Sequence, residues 1–412
     1  MYIRAIGEIT YKLYCWVIRC VYALIHLSPA RDRIVFLSRQ ATIPSLDFTL
    51  LADELRGRFP DWQILFSCYR DSGSFLKRVV GTLKHLRYVA RSRICIVDGY
   101  SPAVSVPNLD PQLVVIQLWH ALGAIKKFGW QSVGTPAGRT PAQAEIFAMH
   151  RNYTAVIASG AGAQAAYADA FGYPLERITP LGLPRMDYLL DNDPRGGREQ
   201  IRELLLTQYP ELHEEGVLTL LWIPTFDRAK SATEQTRQEE LQKLRSALDE
   251  QFIVDAQDTP RFRIIVSRHP FDQDTQNDAD EDTRDAQENI LCIPKIKTID
   301  LLGFADYVIA DYSSAALAAA LLRKKVLFYT PDIDDYRISP GLNIDPEVEF
   351  PAITFRTPHD LTAFIEQDLA AERYQHSGFW QYCERYFAHE AMDFTTPITS
   401  QIANFILASM DA

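Results

Sequence analysis

The stretch Phe304-Ala-Asp-Tyr-Val-Ile-Ala-Asp-Tyr-Ser-Ser-Ala-Ala-Leu-Ala-Ala-Ala-Leu-Leu322 decides the fold of this 412-residue chain. Its apolar run Tyr307-Val-Ile-Ala310 contains β-branched residues and predicts a buried strand. Asp311-Tyr-Ser-Ser314 then offers side chains that cap helices, and a helix rich in alanine and leucine is predicted over residues 315–323. Because a further strand is predicted at residues 325–330, the stretch forms a β-α-β unit of a parallel sheet.

A helix that begins directly after a strand has unpaired backbone N–H groups in its first turn. Such helix ends attract phosphate, and the hydroxyl groups of Ser313 and Ser314 would add further donors. The alternative is an ordinary capped crossover that binds nothing. This stretch alone is compatible with both interpretations.

The composition of the chain limits its class. A length of 412 residues predicts two domains, and 47% hydrophobic with 23% charged residues is typical of a folded globular protein. The formal net charge of −11 argues against general nucleic-acid binding, so an anionic ligand would need local positive groups. Six cysteines without CxxC spacing predict free thiols, and no motif predicts a metal site or a cofactor.

The N-terminal segment allows two interpretations. Residues 13–27 are apolar, but Arg19 interrupts them and they are shorter than the roughly 20 residues that span a membrane. No A-x-A cleavage pattern follows, so a secretory signal peptide is not expected. Residues 1–33 carry five basic and two acidic side chains. The segment is therefore predicted to be either an interfacial helix on the cytoplasmic leaflet or a helix packed on the first domain.

Apolar runs alternate with helical patterns along the rest of the chain, as in parallel sheets that are covered on both faces. We predict an α/β fold of two Rossmann-like domains that face each other across a cleft. The predicted domains are an interfacial helix (1–30), a first Rossmann-like domain (31–190), a second (191–390) and a C-terminal helix that packs back (391–412). The predicted strands are residues 33–38, 62–68, 94–98, 113–118, 155–158, 218–224, 262–267, 290–293, 307–310 and 326–329. The acidic stretch 272–288 is predicted to be a solvated loop.

Ligands of open α/β sheets bind beyond the carboxyl ends of the strands, which directs attention to the residues that follow each strand. His120 follows one predicted strand and is itself followed by Gly123 and Lys126. A histidine there could accept a proton near neutral pH, or could simply bond a core carbonyl. Arg268 and His269 follow another predicted strand and suit the oxygens of a phosphate.

Further strand ends carry polar side chains. Thr225 and Arg228 follow a third predicted strand, and Ser313-Ser314 follow a fourth. If the strand ends face one cleft, these clusters converge on one anionic ligand. Asp332-Ile-Asp334 has DxD spacing, for which a solvated acidic turn is the simpler interpretation.

The ordered motifs of the chain resemble those of the CDP-glycerol glycerophosphotransferase family, the primases and polymerases of teichoic acid synthesis. The motifs that carry the resemblance are Gln117-Leu-Trp-His120 with Lys126-Lys-Phe-Gly129, Gly182-Leu-Pro-Arg185-Met-Asp187, Ile223-Pro-Thr-Phe-Asp-Arg228, His269-Pro270, Ala305-Asp-Tyr-Val-Ile-Ala-Asp-Tyr-Ser-Ser314 and Phe328-Tyr-Thr-Pro-Asp-Ile-Asp-Asp-Tyr336 with Gly341. The family usually has Trp-His-Gly-Thr where this chain has Trp119-His-Ala-Leu122. Its late Pro-Gly-Pro motif is replaced by Phe350-Pro-Ala352.

The resemblance implies a GT-B fold and an enzyme that transfers an alditol phosphate, with glycerol phosphate favoured, from a CDP-alditol to a lipid-linked or glycan acceptor. It implies that His120 is the base, that His269 acts on the activated diphosphate, and that Ser313 and Ser314 bind that diphosphate. It also implies a peripheral enzyme on the cytoplasmic face of the membrane. The full set of predicted substrate-binding residues is Gly123, Lys126, Arg185, Thr225, Arg228, Arg268, Asp311, Ser313, Ser314 and Asp335.

Two other functions remain compatible with the sequence. One is a GT-B glycosyltransferase that uses a nucleotide-sugar in capsule or envelope assembly. The other is a homologue that binds but does not catalyse.

Overall fold

Strands and helices alternate throughout the part of the chain that the structure describes. The computed structural model describes residues 2–71, 75–190, 197–213, 216–224, 234–252, 261–267, 283–285, 290–293, 296–387 and 395–411. Four predicted site residues lie outside these ranges: Thr225, Arg228, Arg268 and His269.

The first sheet has six parallel strands in the order β2-β1-β3-β4-β5-β6. Its strands are β1 (Arg33–Ser38), β2 (Gln63–Cys68), β3 (Ile94–Val97), β4 (Val114–Gln117), β5 (Ala155–Ile157) and β6 (Ile178–Thr179). Every residue of β1, β3 and β4 is buried. Such continuous burial explains why these strands are apolar runs without alternation, because both faces of a parallel sheet are covered.

The second sheet has seven strands in the order β13-β12-β11-β7-β8-β10-β9. Its strands are β7 (Val217–Ile223), β8 (Arg261–Val266), β9 (Thr283–Asp285), β10 (Ile290–Cys292), β11 (Tyr307–Ala310), β12 (Lys325–Tyr329) and β13 (Thr354–Phe355). All neighbours are parallel except β9, which pairs antiparallel with β10 at the edge. The prediction of a loop is wrong for the three residues of β9, because the edge of the sheet offers them backbone partners.

The described helices connect these strands. They are α1 (Tyr2–His26), α2 (Leu46–Arg58), α3 (Phe75–Val89), α4 (Pro102–Ser105), α5 (Pro141–Ile146), α6 (Ala161–Phe171), α7 (Arg185–Leu189), α8 (Gly197–Gln208), α9 (Glu234–Phe252), α10 (Thr298–Leu301), α11 (Ala315–Leu321), α12 (Ile333–Ile338), α13 (Pro346–Glu349), α14 (Pro358–Ala371), α15 (Phe379–Phe387) and α16 (Ile398–Met410). The key helix α11 is shorter than predicted, since it ends at Leu321 and Arg323 adopts a positive φ of 55°.

The chain divides into two compact units. The first contains Met1–Leu122, Lys127–Asp187 and Tyr386–Ala412, and the second contains Gly123–Lys126 and Tyr188–Arg385. The C-terminal helix α16 is fixed within the first unit by the buried carboxylate of Asp187. That carboxylate accepts hydrogen bonds from the backbone nitrogens of Ile398 (2.8 Å) and Thr399 (2.7 Å) and so caps the helix.

Helix α1 combines a packed face with an exposed apolar face. Cys15, Ile18 and Tyr22 are buried against the first unit, and the Tyr14 hydroxyl donates to Thr82 Oγ1 of α3 at 3.0 Å. The opposite face exposes apolar side chains at helical spacing, namely Ile9, Leu13, Trp16, Val17 and Leu24, and Leu27 directly after the helix is also exposed. None of the described helices has the length and apolar content of a membrane-spanning segment.

Candidate functional site

A strained turn presents His120 at the carboxyl end of β4. Trp119 adopts a positive φ of 59°, which is unfavourable for a bulky residue. Two contacts hold it there: its backbone nitrogen donates to Gln117 Oε1 at 2.8 Å, and its indole stacks on Phe128 with ring centroids 4.4 Å apart. The turn therefore directs the exposed His120 side chain away from the sheet interior.

The hydrogen bond of His120 defines its tautomer. Nδ1 lies 2.9 Å from the backbone carbonyl oxygen of Asp98, which follows the neighbouring strand β3. A carbonyl oxygen can only accept, so Nδ1 carries the proton. In the neutral ring, Nε2 then holds a lone pair. The imidazole is thus held in the form that can act as a general base.

The loop that follows His120 is anchored at two places. In the first unit, Ala121 O accepts from the Tyr167 hydroxyl at 2.9 Å, and Leu122 O accepts from Ser159 Oγ. The next four residues belong to the second unit. There Ile125 O accepts from Asn343 N at 2.8 Å, and Lys126 Nζ lies 6.0 Å from the centre of the Tyr336 ring.

In the second unit, the turn between β11 and α11 is supported by two stacked tyrosines. Tyr312 is buried, its ring lies 3.8 Å from that of Tyr336, and its hydroxyl donates to Asp332 Oδ1 at 3.0 Å. Ser313 Oγ accepts from Ala315 N at 3.3 Å, whereas the side chain of Ser314 makes no capping hydrogen bond. Ser314 is thus the N-cap residue of α11 by position, and the hydroxyl of the preceding Ser313 accepts from the first helical residue.

The register of the second sheet also brings the carboxyl ends of β7 and β8 to the same edge as the carboxyl end of β11. Ala310 of β11 is opposite Ile223 of β7, and Trp222 of β7 is opposite Val266 of β8. Pro224 therefore leaves the sheet beside Asp311, and Ser267 leaves it on the other side of β7. They precede the segments with the predicted residues Thr225, Arg228, Arg268 and His269, which lie outside the described residues.

Comparison with known proteins shows to which family the chain belongs. The family described as CDP-Glycerol:Poly(glycerophosphate) glycerophosphotransferase matches residues 20–403. The chain belongs to this family. The resemblance inferred from the ordered motifs is thereby confirmed.

Two relatives of this glycerophosphotransferase-family chain come from Bacillus spizizenii. A teichoic acid poly(ribitol-phosphate) polymerase is 30% identical over 323 residues, which are 76% of this chain and 48% of the relative. A teichoic acid ribitol-phosphate primase is 28% identical over 331 residues, which are 79% of this chain and 78% of the relative. The chain thus spans about half the length of the polymerase but most of the primase.

A solved structure confirms the fold class. The wall teichoic acid polymerase TagF matches with a TM-score of 0.68 at 15% identity, covering 98% of each chain. The predicted α/β fold of GT-B type, with two Rossmann-like domains, is therefore correct.

The structure gives Arg185 a partner within the protein. Its guanidinium Nε donates to Asp47 Oδ2 and its backbone nitrogen to Asp47 Oδ1, both at 2.8 Å. Burial opposes the charge of Arg185, but the Asp47 carboxylate outweighs it and raises the pKa of Arg185. The predicted contact of Arg185 with substrate stays a prediction, and its observed role is to tie α7 to α2.

The remaining predicted residues lie in different settings. Gly123 is buried, and Asp311 is half-buried directly after β11. Asp335 is exposed on α12, one turn from the Tyr312–Asp332 contact. Among the described residues, no group of three or more His, Cys, Asp or Glu side chains could hold a metal ion.

The sequence interpretation missed Asp98 as a site residue. It assigned this residue to the end of a strand, whereas β3 ends at Val97 and Asp98 is the first residue beyond it. The strand-end rule that pointed to His120 applies equally to Asp98. Its carboxyl group is buried, and burial raises its pKa to about 7.

Proposed function

We propose that this protein transfers an alditol phosphate from a CDP-alditol to a hydroxyl group of a membrane-linked acceptor, releasing CMP, in the synthesis of teichoic acid or a related surface polymer. The observation that carries the proposal is the fixed tautomer of His120, in a chain whose family is described as a glycerophosphotransferase. A binding-only homologue would have no use for an exposed base on a strained turn.

His120 acts as the general base. The hydroxyl of the acceptor gives its proton to Nε2, and the oxygen attacks the β-phosphorus of the donor. The bond from that phosphorus to the bridging oxygen breaks, and CMP leaves with the electron pair. Because this chemistry needs little covalent help, positioning and charge provide most of the acceleration.

The second unit binds the diphosphate of the donor. Ser313, Ser314 and the first N–H groups of α11 donate to its oxygens, and the ammonium group of Lys126 adds positive charge. The family motifs imply that Arg268, His269, Thr225 and Arg228 also bind the donor, and Asp311 follows β11 directly. Tyr312, through Tyr336 and Asp332, keeps the serine turn rigid.

The alditol can be glycerol or ribitol. The family description contains CDP-glycerol, whereas the two Bacillus spizizenii relatives are ribitol-phosphate enzymes. The purified protein should therefore be incubated separately with CDP-glycerol, CDP-ribitol and UDP-sugars, and nucleotide release should be measured. We expect CMP from at least one CDP-alditol and no UDP. Release of UDP alone would establish the glycosyltransferase alternative and refute the proposal.

The acceptor is reached at a membrane surface through α1 and α3. These helices pack together, and α3 exposes Phe75, Leu76 and Val80 beside the basic side chains of Lys77 and Lys84. Exposed apolar side chains flanked by lysines are typical of peripheral binding to anionic lipid. The packed and interfacial interpretations of the N-terminal helix are therefore compatible, because each uses a different face.

Vesicle sedimentation tests this membrane contact. A double variant, Leu13→Glu with Trp16→Glu, should lose binding to vesicles of phosphatidylglycerol and phosphatidylcholine. The matched control Leu369→Glu changes an exposed leucine of α14 in the second unit and should bind as the wild type does. Equal binding of the double variant would contradict the assignment.

A further inference from the structure

The carboxyl group of Asp98 is buried without being fully paired. Only 3% of the residue is exposed, and Oδ1 has no hydrogen-bond partner within the described part of the chain. Leaving a buried polar atom without a hydrogen bond is unfavourable. A carboxyl group kept in this state lowers stability, which is typical of residues retained for function.

The groups around Asp98 have opposing effects on the pKa of its carboxyl group. Burial raises its pKa to about 7, a hydrogen bond from Ser38 at the end of β1 lowers it, and the charge of Asp47 on α2 raises it. The guanidinium of Arg185 on α7 lowers the pKa of Asp98. The charge of Asp98 in turn raises the pKa of the Cys68 thiol at the end of β2, which burial raises most. A further titratable group close to Asp98 is His120, which follows β4.

Asp98 is connected directly to the imidazole of His120. Its own backbone oxygen accepts the proton of Nδ1 at 2.9 Å. The carboxyl carbon is three covalent bonds from that carbonyl carbon, so its charge lies within about 8 Å of the imidazole. At this distance, in a partly buried site, a unit charge changes a pKa by on the order of one unit.

We propose that Asp98 is a positioning residue that sets the base strength of His120. This inference rests on the proposed function, in which His120 removes a proton from the acceptor hydroxyl. The proton binds at Nε2, while the proton on Nδ1 remains bonded to Asp98 O. The ionised carboxyl group stabilises the imidazolium that results, and no proton passes to Asp98.

The substitution Asp98→Asn tests the inference, because it removes the charge and keeps the shape and the backbone carbonyl. Histidine titration by NMR, with His120 assigned from a His120→Gln sample, should show the pKa of His120 lowered by on the order of one unit. The matched control Asp368→Asn removes a buried carboxyl group of the second unit and should leave the His120 pKa unchanged.

The kinetic measurement separates this inference from the proposed function. In Asp98→Asn, kcat for CMP release should fall about tenfold, KM for the donor should not change, and the acid limb of the pH profile should move to lower pH. An unchanged His120 pKa together with an unchanged kcat would overturn the inference while leaving the proposed function intact. If the wild type releases no CMP from any CDP-alditol, the proposed function fails, and the NMR titration still decides whether Asp98 acts on His120.

A second variant covers the case in which Asp98→Asn does not fold. Ser38→Ala removes the hydrogen bond that favours the ionised carboxyl group. It should therefore lower the pKa of His120 in the same direction but by less. A His120 pKa equal to the wild-type value in this variant would also count against the inference.

Discussion

The two units each bury an aspartate next to their sheet, and the two carboxyl groups behave in opposite ways. Asp368 of α14 is 0% exposed and accepts from Lys325 Nζ at 2.6 Å, and also from the Tyr307 hydroxyl and Tyr374 N. Burial alone would raise its pKa, but these partners outweigh burial and lower it. Asp98 is equally buried, has an unpaired oxygen, and has its pKa raised to about 7.

The difference distinguishes a structural carboxyl group from a functional one. A buried charge that is fully hydrogen-bonded connects a helix and two strands, and removing it leaves its partners unsatisfied. A buried carboxyl group with one oxygen unpaired contributes nothing comparable to stability. In our proposal, its position beside His120 gives it a use in the reaction. Substitution at the two positions should therefore have opposite effects.

The largest effect on stability is expected for Asp368→Asn. This change removes the charge that Lys325 and Tyr307 share and should lower the free energy of unfolding by about 3 kcal/mol, measured by urea denaturation at pH 7.5. Because the folded-state pKa of Asp368 is lowered, its stabilisation is present above about pH 4 and is lost as the pH falls further. The turnover of the folded fraction should not change. An unchanged unfolding midpoint would show that the network is dispensable.

The effect of Asp98→Asn on stability should have the opposite sign. A folded-state pKa raised from 3.8 to about 7 destabilises the wild type progressively as the pH rises between these values. The variant should therefore be more stable at pH 8 by on the order of 3 kcal/mol, and the gain should vanish near pH 4. Urea denaturation at both pH values measures this. A variant less stable than the wild type at pH 8 would mean that Asp98 has a structural role.

The smallest effect is expected for Tyr312→Phe. The variant keeps the ring stacked on Tyr336 and loses only the hydrogen bond to Asp332, so the free energy of unfolding should fall by about 1 kcal/mol. A looser serine turn should raise KM for the CDP-alditol several-fold with little change in kcat. A fall in kcat at constant KM would indicate that Tyr312 acts on the reaction itself.

The parallel sheets could be predicted from sequence because buried strands form uninterrupted apolar runs. The strands Arg33–Ser38 and Tyr307–Ala310 are found as predicted, and the other predicted strands differ by a residue at one or both ends. The strand-end rule also led to His120, because it depends only on chain order within a sheet. Edge strand β9 was missed, since three polar residues carry no apolar pattern.

The contacts between distant segments could not be predicted. Asp47 pairs with Arg185, and Ile125 pairs with Asn343, across more than a hundred residues of chain in each case. Nothing local in the sequence indicates either partner.

The positive φ of Trp119 could not be predicted from the sequence either. A bulky residue rarely adopts that conformation and does so only where tertiary contacts hold it.

The most direct measurement is CMP release by the wild type and by His120→Gln, with CDP-glycerol or CDP-ribitol and a lipid-linked acceptor. His359→Gln, an exposed histidine of α14, is the matched control. We predict that His120→Gln loses on the order of 10²–10⁴-fold in kcat while the control retains wild-type turnover. Wild-type turnover in His120→Gln would contradict the account.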